Sequence, residues 1–244
     1  ANDVAYHMDK VNRGYKNLVN VLGADHIGYI KRITAAVSAL SEKKIQLNCK
    51  VCQLVKLFKN GEPFKMSKRA GDFISVQDLL SEVDKDPIRF MMLNRSNDVE
   101  LDFDFDKVKE KTKDNPVFYV QYAYARINSL LRMSNTSLVK KIQFDEINFT
   151  LNEMDEKIIR KVFEWPKIIE SVSRKFDLHK IPFYLYELST LFHAYWSRGN
   201  EDKRYKFIEN EQIKRKETLA IINLVAIVIK NGMSILDVSL PKKM

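Results

Sequence analysis

The chain has 244 residues, 45% hydrophobic and 30% charged, with 7 Gly and 6 Pro, a composition that supports a buried core and excludes disordered, collagen-like and low-complexity classes. Two cysteines exclude a disulfide scaffold and fit a reducing compartment. The longest apolar run, Leu219 to Ile229, contains Asn223 and is too short to cross a hydrocarbon layer of ~30 Å. No charged start followed by an apolar stretch and a cleavage site opens the chain, so a cytoplasmic location with no membrane partner is expected. The net charge of +9 suits a polyanionic partner, because neutralised phosphates release counterions. A Lys-, Ile- and Asn-rich composition drawn from nucleotide bias gives the same total. Residues 1–114 carry 20 Lys/Arg against 17 Asp/Glu and residues 115–244 carry 21 against 15, so the second half is the more basic.

Leu18-Val19-Asn20-Val21-Leu22, closed by Gly23, is short and apolar enough for a buried parallel strand. From Gly28 to Leu40 the apolar positions Ile30, Ile33, Ala36, Val37 and Leu40 follow a helical period, and Val51 to Phe58 reads as a second strand. Strand, helix, strand at this spacing is a βαβ crossover. The sheet signal ends there, as in the tail of a doubly wound domain. Asn60-Gly61-Glu62-Pro63 is a turn, and Phe64 to Phe73 a polar, basic loop. Ser75 caps a helix through Leu79, Leu80 and Val83. Asp86-Pro87 starts another before Ile88–Leu93, with proline at the first helical position. Glu100 to Asp106 alternates charged and apolar residues, turning Leu101, Phe103 and Phe105 inward as a connector. Beyond Asn115-Pro116 the pattern is helical over Val117 to Met133, Met154 to Phe176, Ile181 to Trp196 and Glu211 to Val228. The expected architecture is an α/β portion over residues 1–114 and an all-α bundle over 115–244.

Phe64-Lys65-Met66-Ser67-Lys68-Arg69-Ala70-Gly71-Asp72 sets two ammonium groups three residues apart on a glycine-ended loop. Mobile lysines are compact point charges suited to transient charge on a triphosphate, although an arbitrary K-x-x-K is a solvated basic loop. Lys65-Met66-Ser67-Lys68 resembles the second signature loop of class I aminoacyl-tRNA synthetases. Asp3-Val-Ala-Tyr-His7, Gly23-Ala-Asp-His26, Phe64 to Gly71, Asp86-Pro-Ile-Arg-Phe90 and Asn115-Pro-Val-Phe-Tyr-Val-Gln-Tyr-Ala-Tyr-Ala-Arg126 follow in that order. Together, over essentially the whole chain, they resemble the C-terminal portion of bacterial arginyl-tRNA synthetases. His26-Ile-Gly-Tyr29 is not the family's first signature, H-I-G-H: it ends in tyrosine and lies about forty residues before Lys65, too near for that motif. The chain therefore reads as a piece of a longer protein that does not catalyse alone.

The resemblance implies the C-terminal half of a Rossmann-like catalytic domain followed by a helical anticodon-binding bundle of DALR type. It implies ATP-dependent activation of arginine and its transfer to tRNA, with ATP and Mg²⁺ as substrate, arginine and arginine-accepting tRNA as partners, no tightly bound protein metal, and a monomer. Lys65 and Lys68 would offset charge on the departing phosphates, Lys68 foremost. Met66 and Ser67 share the ATP loop, and Asp25 and His26 complete the ATP site after the first strand. Asp3 can pair bidentately with a guanidinium or simply cap its helix; Tyr6, His7 and His26 join it at the arginine pocket. In the bundle, Arg126, Tyr195, Trp196 and Arg198 are expected at tRNA, as aromatic rings among basic residues suit unstacked bases. Phe118 and Tyr122 are expected in the core.

Cys49-x-x-Cys52 lacks the further ligands of a zinc site and enters a strand rather than opening a helix, so two buried, inert thiols are expected. His179 and His193 have no acidic partner at a fixed offset and receive no role. A non-catalytic RNA-binding module is the alternative to the ligase. A cysteine synthetase is a third reading, weakened by the missing zinc ligands.

Overall fold

The computed structural model describes residues 2–64, 74–133, 150–209 and 212–244. Helix α1 (Asn2–Asn12) places Asp3 in its first turn and Lys10 in its last, charges that match the helix dipole. Strand β1 (Asn17–Gly23), a 3-10 turn (Ala24–Tyr29), helix α2 (Ile30–Leu40) and strand β2 (Gln46–Cys52) follow. β1 and β2 pair in parallel, from Asn17 opposite Gln46 to Gly23 opposite Cys52, which is the expected crossover. The second strand is displaced from its expected place: Val51–Phe58 straddles the end of β2 and the start of β3 (Val55–Lys59). β3 lies between β4 (Glu62–Pro63) and β5 (Leu101–Asp104) in a three-stranded sheet.

β1 is buried on one face only, a departure from the expected fully buried strand. Leu18 packs with Ile33 and Val37 of α2 and Leu47 of β2, whereas Val19 and Val21 on the opposite face are 40% and 70% exposed. The thiols also depart from expectation, since Cys49 is half-buried and Cys52 exposed, both free. Three residues apart on a strand, their side chains take opposite faces.

Ser75 caps α3 (Val76–Glu82) through a reciprocal pair: its hydroxyl accepts from the Asp78 amide at 3.2 Å and its own amide donates to Asp78 Oδ2 at 2.9 Å. Helix α4 (Lys85–Leu93) begins two residues before the expected start. Asp86 therefore does not cap it, and its carboxylate instead accepts from the amide and hydroxyl of Ser239. The alternation at Leu101, Phe103 and Phe105 is as expected, with all three buried.

The bundle comprises α5 (Pro116–Met133), α6 (Glu153–Phe163), α7 (Trp165–Lys175), α8 (Lys180–Glu201) and α9 (Lys216–Ile235), with a short hairpin of β6 (Ile208–Glu209) and β7 (Gln212–Ile213). The single helix expected over Met154–Phe176 breaks at Glu164, where the Trp165-Pro166 pair starts α7. α9 starts later and runs further than its pattern suggests. It continues through Gly232, where a Cβ would lie 2.8 Å from the Leu185 side chain, so glycine permits the close approach of α8 and α9. Its stretch Glu217–Ile235 is as long and apolar as a membrane span, yet more than half of it is buried and it packs on α5, α6 and α8. A core helix covered on several sides is apolar nearly all round.

By contact the chain forms two compact units, Ala1–Leu57 with Arg95–Phe103, and Phe58–Asn94 with Asp104–Met244. This division runs elsewhere than the boundary at residue 114 suggested by the motifs.

Candidate functional site

Two places gather chemistry, one in each unit. In the first, α1 presents Asp3, Tyr6, His7 and Lys10 at i, i+3, i+4 and i+7, one face of a helix. That face, the C-terminal part of β1 and the following 3-10 turn line a cleft of about 570 Å³ that also takes in Asn20, Asp25, His26 and Tyr29. Asp3, Tyr6 and His7, expected at the arginine pocket, and Asp25 and His26, expected at the ATP site, line this one cleft.

Behind this wall runs a chain of hydrogen bonds. Lys10 Nζ donates to Asn20 Oδ1 at 2.7 Å, Asn20 Nδ2 donates to His7 Nε2 at 2.8 Å, and His7 Nδ1 donates to the Asp3 carbonyl oxygen at 2.7 Å. The ammonium can only donate, so it fixes the Asn20 amide, which in turn fixes the imidazole with its proton on Nδ1. Lys10 also sits 4.4 Å from the centroid of the Tyr6 ring. Partial burial, and then a hydrogen bond to Asp3, push the Tyr29 phenol above its ordinary range. His26 Nδ1 lies 2.9 Å from Asp25 Oδ1 in an exposed pair. The Asp25 carboxylate folds back over Gly23, with Oδ1 2.6 Å from where a Cβ would stand. The cleft thus carries two carboxylates, at Asp3 and Asp25, that can accept from a planar cationic group. Lys10, Asn20 and Tyr29 escaped the sequence reading, although an asparagine inside an apolar strand was a legible signal. Lys65, Met66, Ser67 and Lys68 lie outside the described residues.

In the bundle, Arg126 of α5 and Trp196 of α8 meet. The guanidinium carbon lies 4.7 Å from the Trp196 ring centroid and 4.4 Å from that of Tyr122, and Nη2 donates to the Tyr122 hydroxyl at 2.5 Å. Tyr122 and Phe118 stack at 5.7 Å. Both are half-buried at this cluster rather than in the core, because the core face of α5 is made by Val117, Val120, Ala123, Tyr124, Ile127 and Leu130. Arg198 lies apart from this pair, over the Tyr205 ring at 4.9 Å.

Tyr195 is a correction. It is 1% exposed, and its hydroxyl donates to Asp155 Oδ1 at 2.8 Å while accepting from Asn152 Nδ2 at 2.8 Å. Burial pushes the phenol up to about 12. Asp155, fully buried, also pairs with Arg215 at 2.7 Å. Tyr195 therefore ties α8 to the start of α6 and offers no ring face to a base.

Residues 120–244 match the DALR anticodon binding domain family. The chain is 54% identical over all 244 residues to an arginine–tRNA ligase of Pelagibacter ubique and 46% identical to one of Roseobacter denitrificans. It spans 42% and 43% of the length of these curated relatives. A crystal structure from Campylobacter jejuni, of a protein assigned as an arginyl-tRNA synthetase, superposes with a TM-score of 0.83 at 31% identity, over 99% of this chain and 51% of that one. A crystal structure of Plasmodium falciparum arginyl-tRNA synthetase shares the fold, with a TM-score of 0.75 at 18% identity, over 99% of this chain and 44% of that one. The chain thus belongs to the DALR anticodon-binding domain family, and over its whole length it is a relative of the C-terminal part of arginyl-tRNA synthetases.

Proposed function

We propose that the chain is the C-terminal part of an ATP-dependent arginine–tRNA ligase. The observation that carries this reading is the 54% identity maintained over all 244 residues, which takes in the cleft, the lysine loop and the bundle together. Arginine's carboxylate attacks the α-phosphate of ATP, pyrophosphate departs, and the arginyl group moves to the terminal ribose of tRNA. In this scheme Asp3, at the mouth of the α1 cleft, accepts a bidentate pair from the substrate guanidinium. Tyr6 and His26 line the same pocket. Asp25 and His26, after the carboxyl end of β1, face the nucleotide side. Lys65 and Lys68 offset charge on the departing phosphates, assisted by Ser67, while Met66 seats the loop. Mg²⁺ enters with ATP as part of the substrate.

The bundle supplies the tRNA contact. Arg126 and Trp196 form its centre, because a half-buried ring and an ordered guanidinium suit an unstacked base. Arg198 over Tyr205 provides a second, more exposed contact, and Tyr195 supports both from the core.

The test uses the full-length protein and arginine-dependent ATP–pyrophosphate exchange in the presence of tRNA. Lys68→Ala is expected to lower exchange on the order of 100-fold or more while leaving tRNA affinity within about twofold. Equal loss of exchange and of tRNA binding contradicts the role given to Lys68, and absence of arginine-dependent exchange in the unmodified protein contradicts the ligase itself.

A further inference from the structure

His193 is a buried titratable group that the scheme above leaves without a task. It lies on α8 at 7% exposure, and both ring nitrogens are engaged. Nε2 faces the Tyr119 carbonyl oxygen at 3.3 Å, and Nδ1 faces Arg126 Nη1 at 3.3 Å. A carbonyl only accepts and a guanidinium only donates, so one tautomer satisfies both: the proton is on Nε2 and the lone pair on Nδ1. The rings of Tyr119 and Tyr122 flank the imidazole, with centroids at 4.3 and 5.6 Å. Burial lowers the imidazole to about 4 against the pull of the Tyr119 hydrogen bond, with the Arg126 charge adding to burial. The ring therefore keeps its lone pair near neutral pH.

Arg126 is held on every side that these contacts reach. The Tyr122 and Trp196 rings lie against its carbon, and the Tyr122 hydroxyl and His193 Nδ1 hold one donor on each terminal nitrogen. A guanidinium has five N–H donors, so three have no partner among the described residues. The groups that hold it are aromatic and uncharged, which suits the acceptor edge of an unstacked base better than a run of phosphates.

We propose that His193 is a positioning residue whose Nδ1 lone pair orders the Arg126 guanidinium against Tyr122 and Trp196 before RNA arrives. The ordering entropy is then already spent in the free protein, and binding keeps what ordering would otherwise cost. This deepens the tRNA reading above and rests on it for the identity of the ligand.

The first test needs no RNA. In the ¹⁵N-labelled free chain, the terminal N–H signals of Arg126 are expected to be separate and slowly exchanging. His193→Phe keeps a ring and removes the lone pair, and it should average those signals. His193→Asn returns an acceptor close to Nδ1 and should restore them. His193→Gln, which keeps a group near the Tyr119 carbonyl but lacks the Nδ1 acceptor, replaces the Phe variant if that one does not fold. Identical Arg126 signals in the wild type and in the variant without the acceptor overturn the proposal, whether or not RNA binds.

The second test is affinity for arginine-accepting tRNA. His193→Phe should weaken it about five- to tenfold, His193→Asn should recover most of the loss, and adding His193→Phe to Arg126→Ala should cost nothing further. A full additional loss in the Arg126→Ala background overturns the proposal, since His193 then acts by another route. Should the wild-type chain order Arg126 as described but bind no tRNA, the positioning role is supported and the RNA reading is the part that fails.

Discussion

In the helical unit, α5, α8 and α9 bury Ile127, Leu188, Phe192, Ile222 and Val225 completely, whereas in the strand-bearing unit β1 leaves Val19 and Val21 in the open and packs Leu18 into a small buried cluster with Ile33, Val37 and Leu47. The two regions also use polar groups differently. The bundle locks its buried carboxylate, Asp155, into a closed set of partners at Tyr195, Arg215 and Asn152. The α1–β1 region aims its polar chain, Lys10 to Asn20 to His7, along the wall of an open cleft. Polar groups satisfied inside a core fix one packing. Polar groups along a cleft set the shape that a ligand meets.

The contrast is broken most severely at Asp155. Asp155→Ala leaves Arg215 without its anion and Tyr195 without its acceptor, and should cost the bundle about 3–5 kcal/mol in a denaturant titration. A cost below about 1 kcal/mol, the scale of an exposed pair, would show that the network is incidental to packing.

A smaller, pH-dependent effect sharpens it. His193 in the folded bundle is lowered to about 4, while the unfolded chain titrates near an ordinary value of about 6.5. Between those values the unfolded state takes up a proton that the folded state does not. Stability is therefore fully present above the unfolded pKa and declines as pH falls toward the folded one. Comparing midpoints near neutrality and at about pH 5 should show that decline in the wild type and a shallower one in His193→Phe. Equal slopes would mean that the imidazole is not held neutral.

The smallest effect is expected on the open side of the strand-bearing unit. Val21 is 70% exposed, so Val21→Thr should change stability by less than about 0.5 kcal/mol. A loss above about 1 kcal/mol would mean that this face is covered in solution, since burial of a methyl is worth roughly that much.

Much of this was legible from residue order alone. The alternation at Leu101, Phe103 and Phe105, the Ser75 cap and the extent of α5 rest on local rules, and local geometry obeys them. Asp3, Tyr6, Asp25 and His26 were placed by motif, and they share one cleft because α1 and the turn after β1 converge there. Other features depend on tertiary partners. The pairing of Lys10 with Asn20 joins residues ten positions apart across two elements. His193 had no fixed-offset partner in sequence, because its partners lie on α5, 67 and 74 positions earlier. Tyr195 and Trp196 look alike as neighbouring aromatics among basic residues, yet adjacent positions on a helix point about 100° apart. One ring went to the core and the other to Arg126. The break in the helix expected over Met154–Phe176 was signalled by Pro166, a residue that a purely periodic reading passes over.

The central proposal, that this chain carries the tRNA-recognising part of an arginine–tRNA ligase, is tested most directly by equilibrium binding of the chain to an arginine-accepting tRNA and to the same tRNA with its anticodon bases replaced. The account predicts a loss of about tenfold or more on replacement, because each lost stacking or base-edge contact is worth roughly 1–3 kcal/mol, and a similar loss for Arg126→Ala with the unaltered tRNA. Equal affinity for both tRNAs would contradict it.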